Sequence, residues 1–457
     1  MLQLLIVHQD DDACTLVQEL DGLPLALATA GAYLYQVSTS FADYIGLYNA
    51  PWLRLQQQTP ELLSYEDRAL YSTWDISLDH VKKQSLPAFK LLQLWAYFDN
   101  QDVWFELLRE CQQDGPEWFS QLMEDQLSFD KAVRVLCEHA LVEADFTLHD
   151  ERVESLGYSM HSCVHSWTKH VVNKVWDSNM ARLTLCCVGL HVPDNNRPQY
   201  WGVEQRLVGH ANQCQEYLSR RLAGQDDDVV MLNAIYRLGD LYVDQGKLDE
   251  AEEMYLRALA GSEKALGRDH TLTLSTVNNL GNLYADQGKN EAEEMYLRAL
   301  AGSKKALGRD HTVTLCIVNN LGLLYVDQGK LDEAEEMYRW ALAGKEKALG
   351  RDHMLTLNTV NNLGNLYLDQ GKLDEAEEMY LRALAGSEKG LGRDHPSTLD
   401  TVNNLGVLYA NQGKLDEAEE MYQWALAGFE KRFGLEYVQC CYLRKGLASL
   451  KDVIASC

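Results

Sequence analysis

The sequence predicts a mainly α-helical chain whose C-terminal half winds into an α-α superhelix. Two observations carry that expectation, and a third concerns the other half. From about residue 228 a unit of 41–42 residues returns five times. Each unit holds two stretches of apolar residues at helical spacing, joined by a glycine-containing turn. Residues 1–225 show apolar clusters without a period, with Trp52, Trp74, Trp95, Trp104, Trp118 and Trp167 among them, and so predict a core of their own. Two or three domains are expected in 457 residues, since single cores rarely grow beyond about 250–300 residues.

The string "LGDLYVDQGKLDEAEEMYLRALAG" begins at Leu238 and recurs with few changes from Leu280, Leu321, Leu363 and Leu405. Gly239, Gly281, Gly322, Gly364 and Gly406 step by 42, 41, 42 and 42 residues. In the fourth unit Leu363, Gly364 and Tyr367 share a face of the first helix, Gly364 admitting a partner helix. "DQGK" ends that helix, with Gly371 in the left-handed conformation. Asp374 is expected to cap the second helix and Glu377 to close a capping box. Ala376, Tyr380 and Ala383 then form its packing stripe. The 41-residue step reflects one lost turn residue, "GKLDEAEE" becoming "GKNEAEE", where Asn290 is expected to cap with Glu293 as its partner. His270, His311, His353 and His395 recur in "GRDH" linkers. They lie one repeat apart, roughly 10 Å, whereas zinc ligands sit within about 2 Å of the ion, so capping or packing is expected of them.

The formal net charge is -27. It excludes passive association with nucleic acid or an anionic membrane, both polyanions, and favours a basic peptide partner. Residues 239–280 alone hold eight acidic and four basic residues, a net of -4. Much of this charge lies in "LDEAEE" at a helix start, where it also complements the helix dipole. The segment Met1 to Val7 is apolar but lacks a cationic flank and runs into Asp10, Asp11 and Asp12, so neither a signal peptide nor a membrane span is read. The 11 cysteines are irregularly spaced without CxxC, which predicts reduced thiols in a cytoplasmic protein. Cys163 and His165 in "CVHSW" do not form a nucleophile–base pair by spacing alone. No catalytic, metal or cofactor site is expected.

The pattern L-G-x-x-Y followed by A-x-x-x-Y-x-x-A resembles the tetratricopeptide repeat. The 42-residue period, "TVNNLG" and "GRDHPSTL" resemble the kinesin light chain subtype. The resemblance implies that the first helix of each unit lines a concave face. It places Asn278, Asn319, Asn361 and Asn403 at equivalent inner points, where matching asparagines of that family grip a peptide backbone. Asn279, Asn320, Asn362 and Asn404 are further candidates. An asparagine offers both a donor and an acceptor, which suits a peptide backbone but equally suits a bridge between adjacent helices. The first unit departs, with Tyr236-Arg237 at the pair. Groove lysines of the kind that hold a terminal carboxylate are replaced by asparagine.

"DGLPLALATAGAYL", Asp21 to Leu34, reads as a turn entering a tightly packed helix, with Ala26, Ala28, Ala30 and Gly31 allowing close contact. It resembles the GLPLA motif in the helical subdomain of NB-ARC signalling ATPases. "YSTWDISLDHV" (71–81) followed by "LLQLWAYFD" resembles the start of their winged-helix subdomain, in its fungal form. "YSMHSCVHSW" stands where that family carries a Met-His-Asp switch. Met160-His161 match, and Ser162 replaces the aspartate. The resemblance implies nucleotide contact for Pro24 and His161 only where a phosphate-cradling core exists. GxxxxGK[ST] occurs nowhere in the 457 residues, and the core expected ahead of Asp21 is missing from them.

The expected organisation is an NB-ARC-type helical subdomain at 1–70, a winged-helix-like subdomain at 71–175 and a helical linker at 176–227. Five tetratricopeptide repeats at 228–436 and a closing helix at 437–457 follow. The expected function is a non-enzymatic scaffold for a peptide or protein segment, possibly basic, on the concave face, without nucleic acid or membrane partners. The alternatives are a shortened form of a nucleotide-gated (ADP/ATP) NLR-like receptor and a kinesin-light-chain-like cargo adaptor. The adaptor family carries an N-terminal heptad coiled coil, of which residues 1–225 show no sustained run.

Overall fold

Each repeat is built around the "DQGK" turn. In the computed structural model Gly246, Gly288, Gly329, Gly371 and Gly413 all take φ between +66° and +75°. In the fourth repeat Lys372 N–H donates to Tyr367 C=O at 2.8 Å and Gly371 N–H to Leu368 C=O at 3.0 Å, the paired bonds of a Schellman end. The structure describes residues 11–20, 24–46, 65–145, 155–194, 200–220, 228–435 and 437–456. They form two compact units, Met1–Val192 with Gly202–Asp226, and Pro193–Trp201 with Asp227–Cys457.

In the second unit the A helices are Val229–Asp244, Thr271–Asp286, Thr312–Asp327, Met354–Asp369 and Pro396–Asn411. Their B helices are Leu248–Ala265, Glu291–Ala306, Leu331–Leu349, Leu373–Leu391 and Leu415–Phe433. Every B helix packs on its own A helix and on the next one, and consecutive A helices also touch. Consecutive B helices stand farther apart, which puts the A helices on the inner side of the curve. The A–B approach depends on glycine. A Cβ on Gly364 would lie 2.8 Å from the Tyr380 ring, and Gly239, Gly281, Gly322 and Gly406 meet their tyrosines in the same way.

Linker histidines cap the second to fifth A helices. The Nδ1 atoms of His270, His311, His353 and His395 each accept a backbone N–H two residues on, at 3.2 Å. The following threonines, Thr273, Thr314, Thr356 and Thr398, donate to the glycine carbonyl ahead of the linker at 2.8–2.9 Å. Cys440 makes the equivalent contact to Gly434 C=O at 3.7 Å, so helix Val438–Ser456 occupies the A position after the fifth repeat.

The capping-box expectation is corrected. Asp374 lies in the first helical turn, with Lys372 at the cap position and no side-chain cap bond, and Asn290 occupies its cap position without bonding either. The Glu377 carboxylate instead reaches the next repeat, accepting from Gln412 Nε2 at 2.9 Å and Lys414 Nζ at 3.2 Å. Glu335 takes Gln370 and Lys372 likewise, at 3.1 and 3.3 Å. Glu293 accepts from Gln328 at 3.1 Å rather than closing a box with Asn290. These bonds, Gln412 first, hold the Glu377 carboxyl below its ordinary range.

A second seam differs from repeat to repeat. Arg298 pairs with Glu263 and Arg382 with Glu346 across successive B helices. The second repeat carries Lys304 where Glu263, Glu346 and Glu388 stand elsewhere, and its successor answers with Trp340 in place of arginine. Lys304 and Arg309 lie 4.5 and 4.7 Å from the Trp340 ring centroid, and Arg393 lies 4.1 Å from that of Trp424. At the second junction Trp340 thus avoids the like charge that an arginine would meet beside Lys304, whereas at the fourth Trp424 follows Glu388 and takes Arg393 instead.

In the first unit the helices are Asp11–Glu19, Pro24–Val37, Tyr65–Gln84, Leu86–Trp95, Phe105–Arg109, Glu117–Leu122, Gln126–Glu138, Ser162–Trp167, Ser178–His191 and Tyr200–Arg220. Strands β1 (Glu143–Ala144) and β2 (Tyr158–Ser159) pair antiparallel, with Glu143 opposite Ser159. This short pairing is the sheet among the described residues. Trp74, Trp95, Trp104 and Trp167 are fully buried. Arg206 makes two 2.8 Å bonds to the Asp102 carboxylate and stacks 3.8 Å from the Trp104 ring. Helix Pro24–Val37 buries Ala26, Thr29, Ala30 and Tyr33 on one face, while Ala28, expected at a close contact, is exposed. Its partners include Leu16, Leu20, Tyr44 and Ile76. Met1 to Val7, Asp21 to Leu23 and Trp52 lie outside the described residues.

His139 is fully buried in this unit, with neither ring nitrogen hydrogen-bonded, beside His80 and Tyr33. Burial, then the neighbouring His80, lowers its pKa to about 4 from 6.5. The imidazole must stay neutral in the fold, so its contribution is complete above about pH 6.5 and is lost as pH falls toward 4. That loss amounts to roughly 3 kcal/mol. His139→Phe is therefore expected to flatten the fall in melting temperature between pH 7 and pH 5, read by circular dichroism.

At the seam, Trp340→Arg is expected to destabilise the repeats by about 1–2 kcal/mol. Lys304→Glu in the same chain should restore most of it. A double-mutant cycle in urea measures the coupling, and zero coupling would refute the matched junction.

Candidate peptide-binding face

The asparagine pairs lie on the A helices and run as a ladder from repeat to repeat. Asn279 Nδ2 donates to Tyr236 Oη at 2.9 Å and to Asp240 Oδ1 at 2.8 Å in the preceding A helix. Asn320 Nδ2 reaches Asn278 Oδ1 at 3.2 Å and Asn282 Oδ1 at 2.9 Å. Asn362 reaches Asn319 at 3.4 Å, and Asn404 reaches Asn361 at 3.4 Å and Asn365 at 3.1 Å. Tyrosines of the B helices close the ladder from the side. The Tyr255 hydroxyl donates to Asp240 at 2.7 Å, Tyr296 to Asn282 at 2.8 Å and Tyr380 to Asn365 at 2.7 Å.

This geometry separates the two members of each pair. The second asparagine, at 279, 320, 362 or 404, spends its NH2 on the neighbouring helix. In the first member the carbonyl of Asn278, Asn319 or Asn361 accepts from the next repeat. Asn278 and Asn319 also donate to their own partners, Asn279 and Asn320, at 3.2 and 3.4 Å. Asn278 is only 9% exposed, while Asn319, Asn361 and Asn403 are half-buried. Of the donor and acceptor expected at the four first positions, one acceptor site of Asn278 and of Asn361 is taken by the next repeat, and both acceptor sites of Asn319 are. Asn403 differs. Forty-three residues on from it, where a second asparagine would stand in helix Val438–Ser456, the residue is Gly446, which has no amide to donate.

Two departures within the third repeat escaped the sequence reading. The residue after the helix-A glycine is Asp240, Asn282 or Asn365 in three repeats, but Leu323 in the third and Val407 in the fifth. Leu323 cannot accept a hydrogen bond, so the ladder has a gap there, and its side chain is 48% exposed. Lys345 stands where Ser262, Ser303 and Ser387 stand elsewhere and is 2% exposed. Its Nζ donates to Thr359 Oγ1 at 2.9 Å, and Thr359 donates to Asn319 Oδ1 at 2.9 Å. Burial lowers the lysine pKa, with Cys316 acting in the opposite direction. Both departures were visible as breaks in an otherwise uniform column.

Asp240 is held in the same polar row. Burial raises its pKa to about 6 against the pull of Tyr255, Arg237 and Asn279. One helical turn on, Asp244, Asp286, Asp327 and Asp369 are exposed. In the first unit Pro24 is the exposed first residue of its helix. His161 is exposed and caps helix Ser162–Trp167, its Nδ1 accepting Cys163 N–H at 3.2 Å. Among the described residues no group of three or more His, Cys, Asp or Glu side chains could hold a metal ion, and no helix is long and apolar enough to cross a membrane.

The tetratricopeptide repeat family model matches residues 230–292, 274–347 and 348–431. A nucleotide-binding leucine-rich repeat (NLR)-like protein of Hyaloscypha variabilis is 29% identical over 279 residues, 58% of this chain and 26% of that protein. The chain therefore spans about a quarter of the length of this curated relative. Among solved structures, BtubC (BKLC) from P. vanneervenii is 27% identical, with 50% of this chain and 92% of that chain covered and a TM-score of 0.41. A Podosopora anserina putative kinesin light chain with nearly identical TPR-like repeats is also 27% identical, covering 44% and 95%, with a TM-score of 0.36. The C-terminal part of this chain, across residues 230–431, is a tetratricopeptide-repeat region.

Proposed function

We propose that this chain is a non-enzymatic scaffold whose A-helix face takes up a peptide or protein segment. The observation that supports it is the ladder. It holds amides and tyrosine hydroxyls at fixed intervals along one face, so a ligand meets side chains that are already ordered, and little entropy is lost on binding. In this reading Asn319 serves the ligand as a donor only, while Asn278 and Asn361 each keep a second acceptor site. Asn403 offers donor and acceptor, and Asn279, Asn320, Asn362 and Asn404 hold the face in shape. The exposed aspartates favour a basic partner.

A second reading is favoured by the fungal NLR-like relative. In it residues 1–175 correspond to the helical and winged-helix subdomains of an NB-ARC switch, and the repeats form its sensing arm. Pro24 and His161 then approach a nucleotide whose phosphate cradle lies outside this sequence. The repeats serve the same binding role in both readings.

The test is a binding screen of the full chain and of Asn403→Ala against an array of extended peptides. The variant sits at the end of the ladder and should keep the wild-type melting temperature. Peptides captured by the wild type are expected to bind at least tenfold more weakly to the variant. Equal binding would remove Asn403 from the contact surface, and no capture by the wild type would contradict the scaffold reading.

A further inference from the structure

We infer that the ligand of the A-helix face is an extended segment with one aliphatic residue seated on Leu323 and a lysine or arginine about three residues away on either side. The inference rests on the reading of that face as the binding surface, and it adds register and chemistry.

The aliphatic position follows from the gap in the ladder. Asp240, Asn282 and Asn365 each receive a tyrosine hydroxyl and an asparagine amide from the next repeat. Leu323 stands in the same column, can receive neither, and leaves 48% of its surface in water. It has polar neighbours in the column on both sides, Asn282 and Asn365. An apolar side chain set in a polar row gains only by covering with another apolar group.

The cations follow from the next column. A residue four places on lies one turn along the same helix face. Asn282, Leu323 and Asn365 are thus each followed by an exposed carboxylate, at Asp286, Asp327 and Asp369. These carboxylates are close enough to act on one another. Partial burial, then Asp327, raises the pKa of Asp286, and both aspartates raise that of Tyr296 after its own burial. The lysines of this region are occupied elsewhere. Lys289, Lys330 and Lys372 pair with Glu252, Glu293 and Glu335 at 3.0, 3.7 and 3.3 Å. A cationic ligand would relieve the mutual repulsion of the aspartates.

The spacing follows from geometry. Neighbouring packed helices lie about 8–10 Å apart and an extended chain advances about 3.3 Å per residue, so one repeat spans about three ligand residues. A residue on Leu323 then sets its third neighbours against Asp286 and Asp369.

The experiment is fluorescence polarisation with labelled peptides of the form Lys-Ser-Ser-Leu-Ser-Ser-Lys, tested beside versions with the leucine changed to aspartate or both lysines to glutamate. The receptors are the full chain and Leu323→Asn. That variant inserts the residue found at 282 and 365, so it closes the gap and should not lower the melting temperature. The leucine peptide is expected to bind the wild type at least tenfold tighter than the variant, and both altered peptides to lose at least tenfold on the wild type. Binding that is equal for wild type and Leu323→Asn would overturn the anchor while leaving the A-helix face as a binding surface. Equal binding of the lysine and glutamate peptides would overturn the cation assignment. Absence of binding by all three peptides would overturn the inference, and the array screen then decides separately whether the face binds peptides of other chemistry.

Discussion

The contact on which the repeats depend is a tyrosine ring laid on a glycine backbone. Tyr380 can reach Asn365 only because Gly364 has no Cβ, which would stand 2.8 Å from the ring. One close approach therefore does two jobs. It brings the B helix onto its A helix, and it delivers a hydroxyl to the row of amides that joins one A helix to the next. Polar groups buried in this row are satisfied by each other, which makes the row costly to disturb and fixes the register of the stack. Stability in such an array is close to a sum over neighbours, so each junction carries its own share.

The repeats were legible because their signals are local. Glycine spacing, the "DQGK" stop and the apolar stripes all act within one unit. What was misread involves partners one repeat away. Glu377 has the spacing of a capping box, yet its carboxylate binds Gln412 and Lys414 of the following unit. Asn319 looked like a residue open to a ligand, yet its carbonyl accepts from Thr359 and Asn362. No single-unit rule contains those bonds. Leu323 and Lys345 could have been noticed as breaks in the columns, but only the ladder gives the breaks a meaning. In the first unit, pattern reading identified apolar clusters and a tryptophan-bearing core. It could not distinguish a winged-helix arrangement from other helical packings, since the sheet pairing described there is two residues long.

The charge is also reinterpreted by the structure. A net of -27 overstates what a ligand meets, because many carboxylates are bound within the stack. Glu252, Glu263, Glu293, Glu335, Glu346 and Glu377 all face lysine or arginine. The exposed aspartates that close the A helices therefore weigh more than their number suggests. Their field acts along one face, while the glutamates hold the repeats together.

The central claim is that the amide ladder, and not apolar packing alone, keeps consecutive A helices in register. Hydrogen–deuterium exchange of the full chain with Asn320→Ala tests it directly. Loss of these bonds leaves the buried Asn278 carbonyl unpaired, while Asn282 keeps the Tyr296 hydroxyl, a cost of about 1–3 kcal/mol. The account predicts faster exchange of that size confined to helices Thr271–Asp286 and Thr312–Asp327 and their neighbours. Unchanged protection in both helices would contradict it and return the asparagines to the role of exposed ligand contacts.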